Sequence, residues 1–261
     1  MEKNTNTPPL FQRYESDIRN VLFKTKSDGR DSLLMDREGD YSIYYAPLDY
    51  VNTQARVVIV GITPGETQMI DSLAHARAAL STGADTTTAL RMAKRGGSFS
   101  GKQMRPNLLR QLENWGVAEW LGIGSCQQLF AERADLVHTT SLLKYPVFLN
   151  GKNYEGNPSM IREPLLRRYL LEYFAREARQ LNDAIFIGMG PKVWEVLDWL
   201  VAEDVIAREK VCNGMMHPSG NNTYRLNWML GDRSTSAPSK TNPSHYDAGR
   251  KAFRGQVGLR G

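Results

Sequence analysis

At 261 residues, with 41% hydrophobic and 23% charged side chains, the chain has the composition of one α/β domain or two small ones, which excludes a disordered tail, a fibrous rod or a minimal disulfide scaffold. Lys and Arg outnumber Asp and Glu by 33 to 28, and the net charge of +5 suits a polyanionic partner. The two cysteines, Cys126 and Cys212, stand far apart with no C-x-x-C, so neither a metal centre nor another cofactor is expected.

The polar opening, Met1 to Pro9, does not read as a signal peptide, and no apolar run approaches the length of a membrane span. The expectation is a cytoplasmic protein, monomeric and without membrane contact. Residues 1–50 alternate helical signals (Phe11 to Phe23) with turn signals (Asp36 to Asp40) and read as an N-terminal cap. Arg56-Val-Val-Ile-Val-Gly61 is a β-branched run closed by glycine, the pattern of a buried parallel strand. Runs of the same character occupy Ala134 to Ser141, Ala184 to Gly188 and Lys210 to Met216. Between them lie helical patterns at Gln68 to Leu80, Thr86 to Lys94, Asn107 to Asn114 and Ile161 to Leu181. Pro191 to Ala202 is the clearest, with proline in the first turn and Val193, Val196, Leu197 and Leu200 on one face. Strands alternating with helices predict a three-layer α/β/α fold on a central, mainly parallel four-stranded sheet. Residues 51–231 would form this domain, and the basic segment 232–261 a loosely packed extension.

Ligands of such sheets lie beyond the carboxyl ends of the strands, so the residues after each strand carry the functional signal. The first strand runs into Gly61-Ile-Thr-Pro-Gly65, a tight turn that a ligand can approach closely. The fourth runs into His217-Pro-Ser-Gly220, a rigid corner that would aim an imidazole at the crevice. Taken singly, the first is a common turn and the second suits a histidine capping a loop.

Together, these motifs resemble those of the uracil-DNA glycosylase superfamily. Gly97-Ser-Phe-Ser-Gly101 with Leu108 and Leu109 is similar to the Phe-x-Gly segment and leucine helix of its thermophilic, cluster-bearing branch. His138-Thr-Thr-Ser-Leu-Leu-Lys144 is similar to a later strand end of that branch, and Ala184 to Gly190 to the family's third strand. The resemblance covers roughly residues 55 to 225 and implies removal of a flipped base from DNA through a cationic sugar and an anionic leaving base. It places His217 as donor to the departing base and Phe99 as the ring stacked on it. Gly61, Ile62, Gly65 and Ser141 would line the base pocket. Pro64, Ser98, Ser100, Lys144, Ser219 and Gly220 would meet phosphates, and Asn221 or Asn222 would enter the duplex.

The departures bear on substrate. Where several branches carry Asp or Asn to position the attacking water, this chain has Thr63. Where the cluster-bearing branch has Glu, it has Ile62. Glu66 is the nearest carboxylate and the candidate replacement, with Asp71 behind it; a plain helix-start carboxylate is the simpler reading. Ser141 stands where uracil-reading relatives use the bidentate amide of Asn. The cluster cysteines are absent, and the segment from Gly65 to Phe99 is much longer than in those relatives. From Arg91 to Arg110 there are six basic residues (Arg91, Lys94, Arg95, Lys102, Arg105, Arg110) and no acidic one, which predicts a DNA-phosphate surface; the alternative surface is Arg250, Lys251 and Arg254.

The expected activity is therefore that of a DNA glycosylase on a modified pyrimidine, such as a hydroxymethylated or glucosylated cytosine of phage DNA, in antiviral defence. The alternatives are a uracil or mismatch glycosylase of base-excision repair and a non-catalytic nucleic-acid-binding relative. An α/β enzyme on a small phosphorylated ligand, with Gly61 to Gly65 as a phosphate turn, lacks any G-x-G-x-x-G or Walker signature.

Overall fold

The computed structural model describes residues 8–20, 30–231 and 233–259. The chain divides into two compact units, both discontinuous in sequence. The first draws on residues up to Val51, on Thr63–Ser100 and on Leu143–Leu170; the second on Asn52–Ile62, Gly101–Leu142 and the chain from Leu171 onward. One break, between Val51 and Asn52, falls next to the boundary expected after residue 50; no break falls at residue 231. Among the described residues no helix is long and apolar enough to cross a membrane.

The second unit carries the predicted parallel sheet. Strands β3 (Val57–Gly61), β4 (Val137–Ser141), β7 (Ile185–Met189) and β8 (Val211–Met215) pair in the order β4-β3-β7-β8, all parallel. β3 and β7 are buried at every position, which is why they read as unbroken apolar runs rather than alternating ones. Helix α4 (Met104–Trp115) and the short α5 (Val117–Leu121) precede β4, and α7 (Pro191–Ala202) packs on β7 and β8. The result is the expected three-layer α/β/α fold. Helix α8 (Thr223–Leu230) follows β8, and α9 (Pro243–Gln256) packs on that strand. The segment after residue 232 is thus not the loose extension its composition suggested. Tyr246 and Phe253 are buried against Trp115, with ring centroids 5.8 Å apart in both cases.

A buried polar pair anchors the far edge strand. His138 on β4 and Glu177 are 1% and 2% exposed, with Nε2 and Oε1 2.8 Å apart. The Asn52 backbone N–H donates to His138 Nδ1 at 3.2 Å, which leaves the imidazole proton on Nε2, donated to the carboxylate. The Asn52 amide donates to the carbonyls of Asp135 and Val137 and so holds the entry to β4.

The first unit holds α1 (Pro9–Asn20), α2 (Glu66–Ser81), α3 (Thr86–Gly97), α6 (Pro164–Tyr169) and a second, antiparallel sheet that the periodicity did not reveal. The sheet runs β1-β2-β5-β6, from β1 (Leu34–Glu38), β2 (Tyr41–Tyr44), β5 (Val147–Leu149) and β6 (Lys152–Asn153). Its strands are two to five residues long, too short for a period-2 signal, and β1–β2 occupies the segment read as turns. Of the N-terminal helix expected over Phe11 to Phe23, residues 21–23 lie outside the described residues. The single helix expected over 161–181 is instead α6, a π-helical stretch Leu170–Ala175 and a last turn, Arg176–Ala178. Helices α2 and α3 pack closely at Gly97, where an added Cβ would lie 2.6 Å from Ser72 Cβ and 2.9 Å from Gln68 O.

Two outcomes follow for stability. His138→Ala takes its partner from a buried carboxylate and should lower the unfolding free energy by about 3 kcal/mol, whereas truncating the exposed Arg37 should change it by less than about 0.5 kcal/mol; equal urea midpoints for the two variants would remove the anchoring role. Gly97→Ala should cost about 1–3 kcal/mol through overpacking of α2 on α3, read as a lowered melting temperature.

Candidate functional site

In the second unit, the carboxyl ends of the parallel strands bring Gly61, Ser141 and the His217 corner to one edge of the sheet. Gly61 and Ser141 are register partners at the ends of β3 and β4, and the Leu142 N–H donates to Gly61 O at 2.9 Å. Ile62 and Ser141 are half-buried. β8 lies three strand spacings from β4, roughly 14 Å. The chain order reverses direction across the sheet between β3 and β7, the place where such folds open a crevice.

His217 follows β8 by two residues, and its backbone is clamped on both sides. Gln111, fully buried on α4, accepts the Met216 N–H at 2.8 Å and donates to Met216 O at 3.1 Å. One turn earlier, the buried Asn107 amide donates to Pro218 O at 3.2 Å and to Thr223 Oγ1 at 2.8 Å. The Asn222 amide donates to His217 O at 2.9 Å and accepts from Arg225 at 3.3 Å. From below, Gly190 (φ +96°) approaches so closely that an added Cβ would sit 3.2 Å from His217 Cβ. The imidazole itself is half-buried, and among the described residues no hydrogen bond to its ring is found. Burial lowers its pKa below the ordinary 6.5, so at pH 7 the ring is neutral, with one N–H to donate. The arrangement presents an uncharged imidazole on a fixed backbone at the carboxyl edge of the sheet.

Asn107 and Gln111 were not singled out in the sequence, where α4 reads as a leucine helix. The available signal was two amides four residues apart on a face otherwise formed by Leu108, Leu112 and Trp115. Of the two residues expected to enter the duplex, Asn222 has both ends of its amide engaged in the turn and Asn221 is exposed; Gly220 is exposed, and Ser219 is half-buried. Lys102 is exposed. Arg105 is half-buried with its guanidinium 4.5 Å from the Phe130 ring centroid, a packing contact rather than a free phosphate ligand.

In the first unit, the remainder of the glycine turn has structural partners. Thr63 Oγ1 donates to Tyr145 O at 3.0 Å and accepts the Val147 N–H at 3.1 Å, so its only proton is engaged with backbone. That is a departure from the catalytic role expected of it. Pro64 is buried, not presented to phosphates. Gln68 accepts the Gly65 N–H at 2.9 Å and donates to Ser100 O at 2.8 Å, which ties the turn to the Ser98–Ser100 loop. Phe99 is half-buried and sits at φ +49°, a left-handed conformation that costs a bulky residue on the order of 1–3 kcal/mol. Ser98 is half-buried, and Ser100 is buried, its hydroxyl without a hydrogen bond among the described residues.

Glu66 opens α2, with its backbone N–H donated to Asn153 Oδ1 at 3.1 Å. Its carboxylate lies 3.6 Å from Arg30, whose guanidinium is held between the rings of Tyr44 and Phe148 at 4.7 and 4.6 Å. A carboxylate the sequence did not flag, Asp49, accepts the hydroxyls of Tyr45 and Tyr145, both at 2.6 Å. Of the expected phosphate ligands here, Arg91 and Arg95 are exposed on α3. Lys94 is 5% exposed and donates to Tyr50 O at 2.7 Å, and Lys144 is 9% exposed; both are corrected to interior groups. Helical periodicity explains the split on α3, since Lys94 falls on the same face as Leu90 and Gly97.

No protein-family model matches the chain, and no solved structure matches it. It is similar to the uncharacterized protein YoxB of Bacillus subtilis (strain 168), with 35% identity over 206 residues, 77% of this chain and 80% of the relative. With most of both sequences aligned at that identity, the chain belongs to the same family as YoxB.

Proposed function

We propose that the protein is a cytoplasmic DNA glycosylase that hydrolyses the N-glycosidic bond of a flipped base and leaves an abasic site. The observation that supports this reading is the His217 corner. A neutral imidazole N–H, held by Gln111, Asn107 and Asn222 through the backbone beside it, suits a leaving group that becomes negative as the C1′–N bond breaks. Water adds its oxygen to C1′, and the departing base takes up the proton. A donor fixed in advance stabilises that charge without reorganising at the moment of reaction. Phe99 is assigned to the base by the resemblance alone. The substrate we favour is a modified pyrimidine, because Ser141 replaces the amide that reads uracil and leaves more volume at the strand end. The role would then be defence against phage DNA; with a deaminated pyrimidine it would be repair.

A second reading, a nucleic-acid-binding relative without catalysis, draws support from two contacts. The Thr63 proton is engaged by Tyr145 O, and the Glu66 carboxylate faces Arg30. Neither is placed as an unencumbered base for water.

Incubation with matched duplexes carrying cytosine, hydroxymethylcytosine, glucosylated hydroxymethylcytosine or uracil, followed by alkali, distinguishes these readings. Release of a modified base is expected, and His217→Ala should slow single-turnover release by about 10²–10³-fold with little change in DNA binding. Release of uracil alone moves the activity to repair; no release from any duplex leaves the binding reading. A separate expectation concerns pH. Because the folded pKa of His217 lies below 6.5, the unfolded chain binds this proton more readily between the two values. His217 should therefore make folding stability fall as pH drops below 6.5, and His217→Asn should flatten the melting-temperature profile on the acid side of that value.

A further inference from the structure

Helix α8 turns an unusual face outward. No acidic residue occurs from Val211 through Gly231, and within α8 two aromatic side chains, Tyr224 and Trp228, stand four residues apart on the same side. Their opposite neighbours, Leu226 and Met229, are buried. Tyr224 is 51% exposed, more than any other large hydrophobic side chain among the described residues. Each ring carries a guanidinium. Arg225 lies 5.4 Å from the Tyr224 centroid, and its Nε donates to the Tyr224 hydroxyl at 2.9 Å. Arg233 lies 5.7 Å from the Trp228 centroid, and the Trp228 indole N–H donates to Thr235 O at 3.1 Å. Between the rings, Asn227 accepts from Arg110 at 2.7 Å.

Among the described residues, the charges on this face are not all paired with carboxylates. Arg233 is paired bidentately with Asp247, at 2.7 and 3.0 Å. Arg110 and Arg225 have no carboxylate partner among the described residues; Arg225 lies beside the Tyr224 ring and Arg110 is held by Asn227, on the same helix as both rings. An apolar protein partner would not require these cations, and a purely acidic one would not require the rings. A polymer that alternates flat bases with phosphates uses both. The rings are offset by about 6 Å along the helix axis, close to two nucleotide steps of ~3.4 Å.

We infer that the outer face of α8 is a stacking surface for single-stranded DNA, with Tyr224 and Trp228 taking unpaired bases and Arg110 and Arg225 the adjoining phosphates. This goes beyond the reaction proposed for His217 and does not depend on it.

The test is fluorescence anisotropy of the full chain with labelled oligo(dT) of about 20 nucleotides, the corresponding duplex, and poly-glutamate as a competitor. Oligo(dT) should bind more tightly than the duplex, and poly-glutamate should compete poorly. Tyr224→Ala should weaken oligo(dT) binding by about tenfold with no change in melting temperature, and Tyr224→Phe should retain most of it. Arg110→Ala and Arg225→Ala should each lower the salt slope by about one ion, which Tyr224→Ala should not. Wild-type affinity in Tyr224→Ala, or equal binding of oligo(dT), duplex and poly-glutamate, would overturn the inference even if base release is observed. Conversely, oligo(dT) binding that depends on Tyr224, with no base released from any duplex, would uphold it while the glycosylase reading fails.

Discussion

Between Met216 and Pro218 the chain leaves a buried parallel strand and enters a turn, where its N–H and C=O groups no longer have a neighbouring strand to pair with. Buried backbone groups left in that condition cost on the order of 1–3 kcal/mol each. Two amides from α4 meet the demand: Gln111 pairs with both polar groups of Met216, and Asn107 donates to Pro218 O. Asn222 closes the corner from the other side. The path of the backbone through His217 and the start of α8 at Thr223 depend on this clamp. A histidine on an unsupported loop would sample many rotamers and backbone states; here the backbone on either side is fixed.

Polar interior contacts also organise the first unit. The basic excess is less available at the surface than the sequence implies, because part of it is used internally. Lys94 reaches inward to Tyr50 O, and Arg30 packs against the rings of Tyr44 and Phe148 while facing Glu66. Gln68 ties Gly65 to Ser100, next to Phe99 with its left-handed backbone. A ring held at φ +49° between Ser98 and Ser100 persists because its flanks are fixed by such bonds and by the close approach of Gly97 to Ser72.

Much of the parallel sheet was legible in the sequence. Val57–Gly61 and Ile185–Met189 are continuous apolar runs because both faces of each strand are covered, and Pro191–Ala202 shows its helix through proline and a 3.6-residue stripe. The His217 corner was legible too, since proline and glycine mark a turn wherever they follow a strand. The antiparallel sheet was not. β5 and β6 are three and two residues long; β5 is defined by pairing with Tyr41 to Ile43, more than a hundred residues away, and β6 only by folding back on β5. The helix at Pro243–Gln256 was masked by a polar composition that hides the spacing of Tyr246, Gly249 and Phe253.

For the site, the sequence by itself determined which chemistry-bearing types stand at the strand ends: Gly61, Ser141 and His217. Local periodicity and turn chemistry act over a few residues, so they survive in a linear reading. Only the tertiary structure decided what each polar side chain does. Thr63 and Asn222 became backbone ligands, Lys94 turned inward, and Asn107 and Gln111 emerged as the supports of His217. The physical reason is that a hydroxyl, an amide or an ammonium bonds whatever unpaired group folding brings within about 3 Å, and that partner is chosen by packing between distant segments.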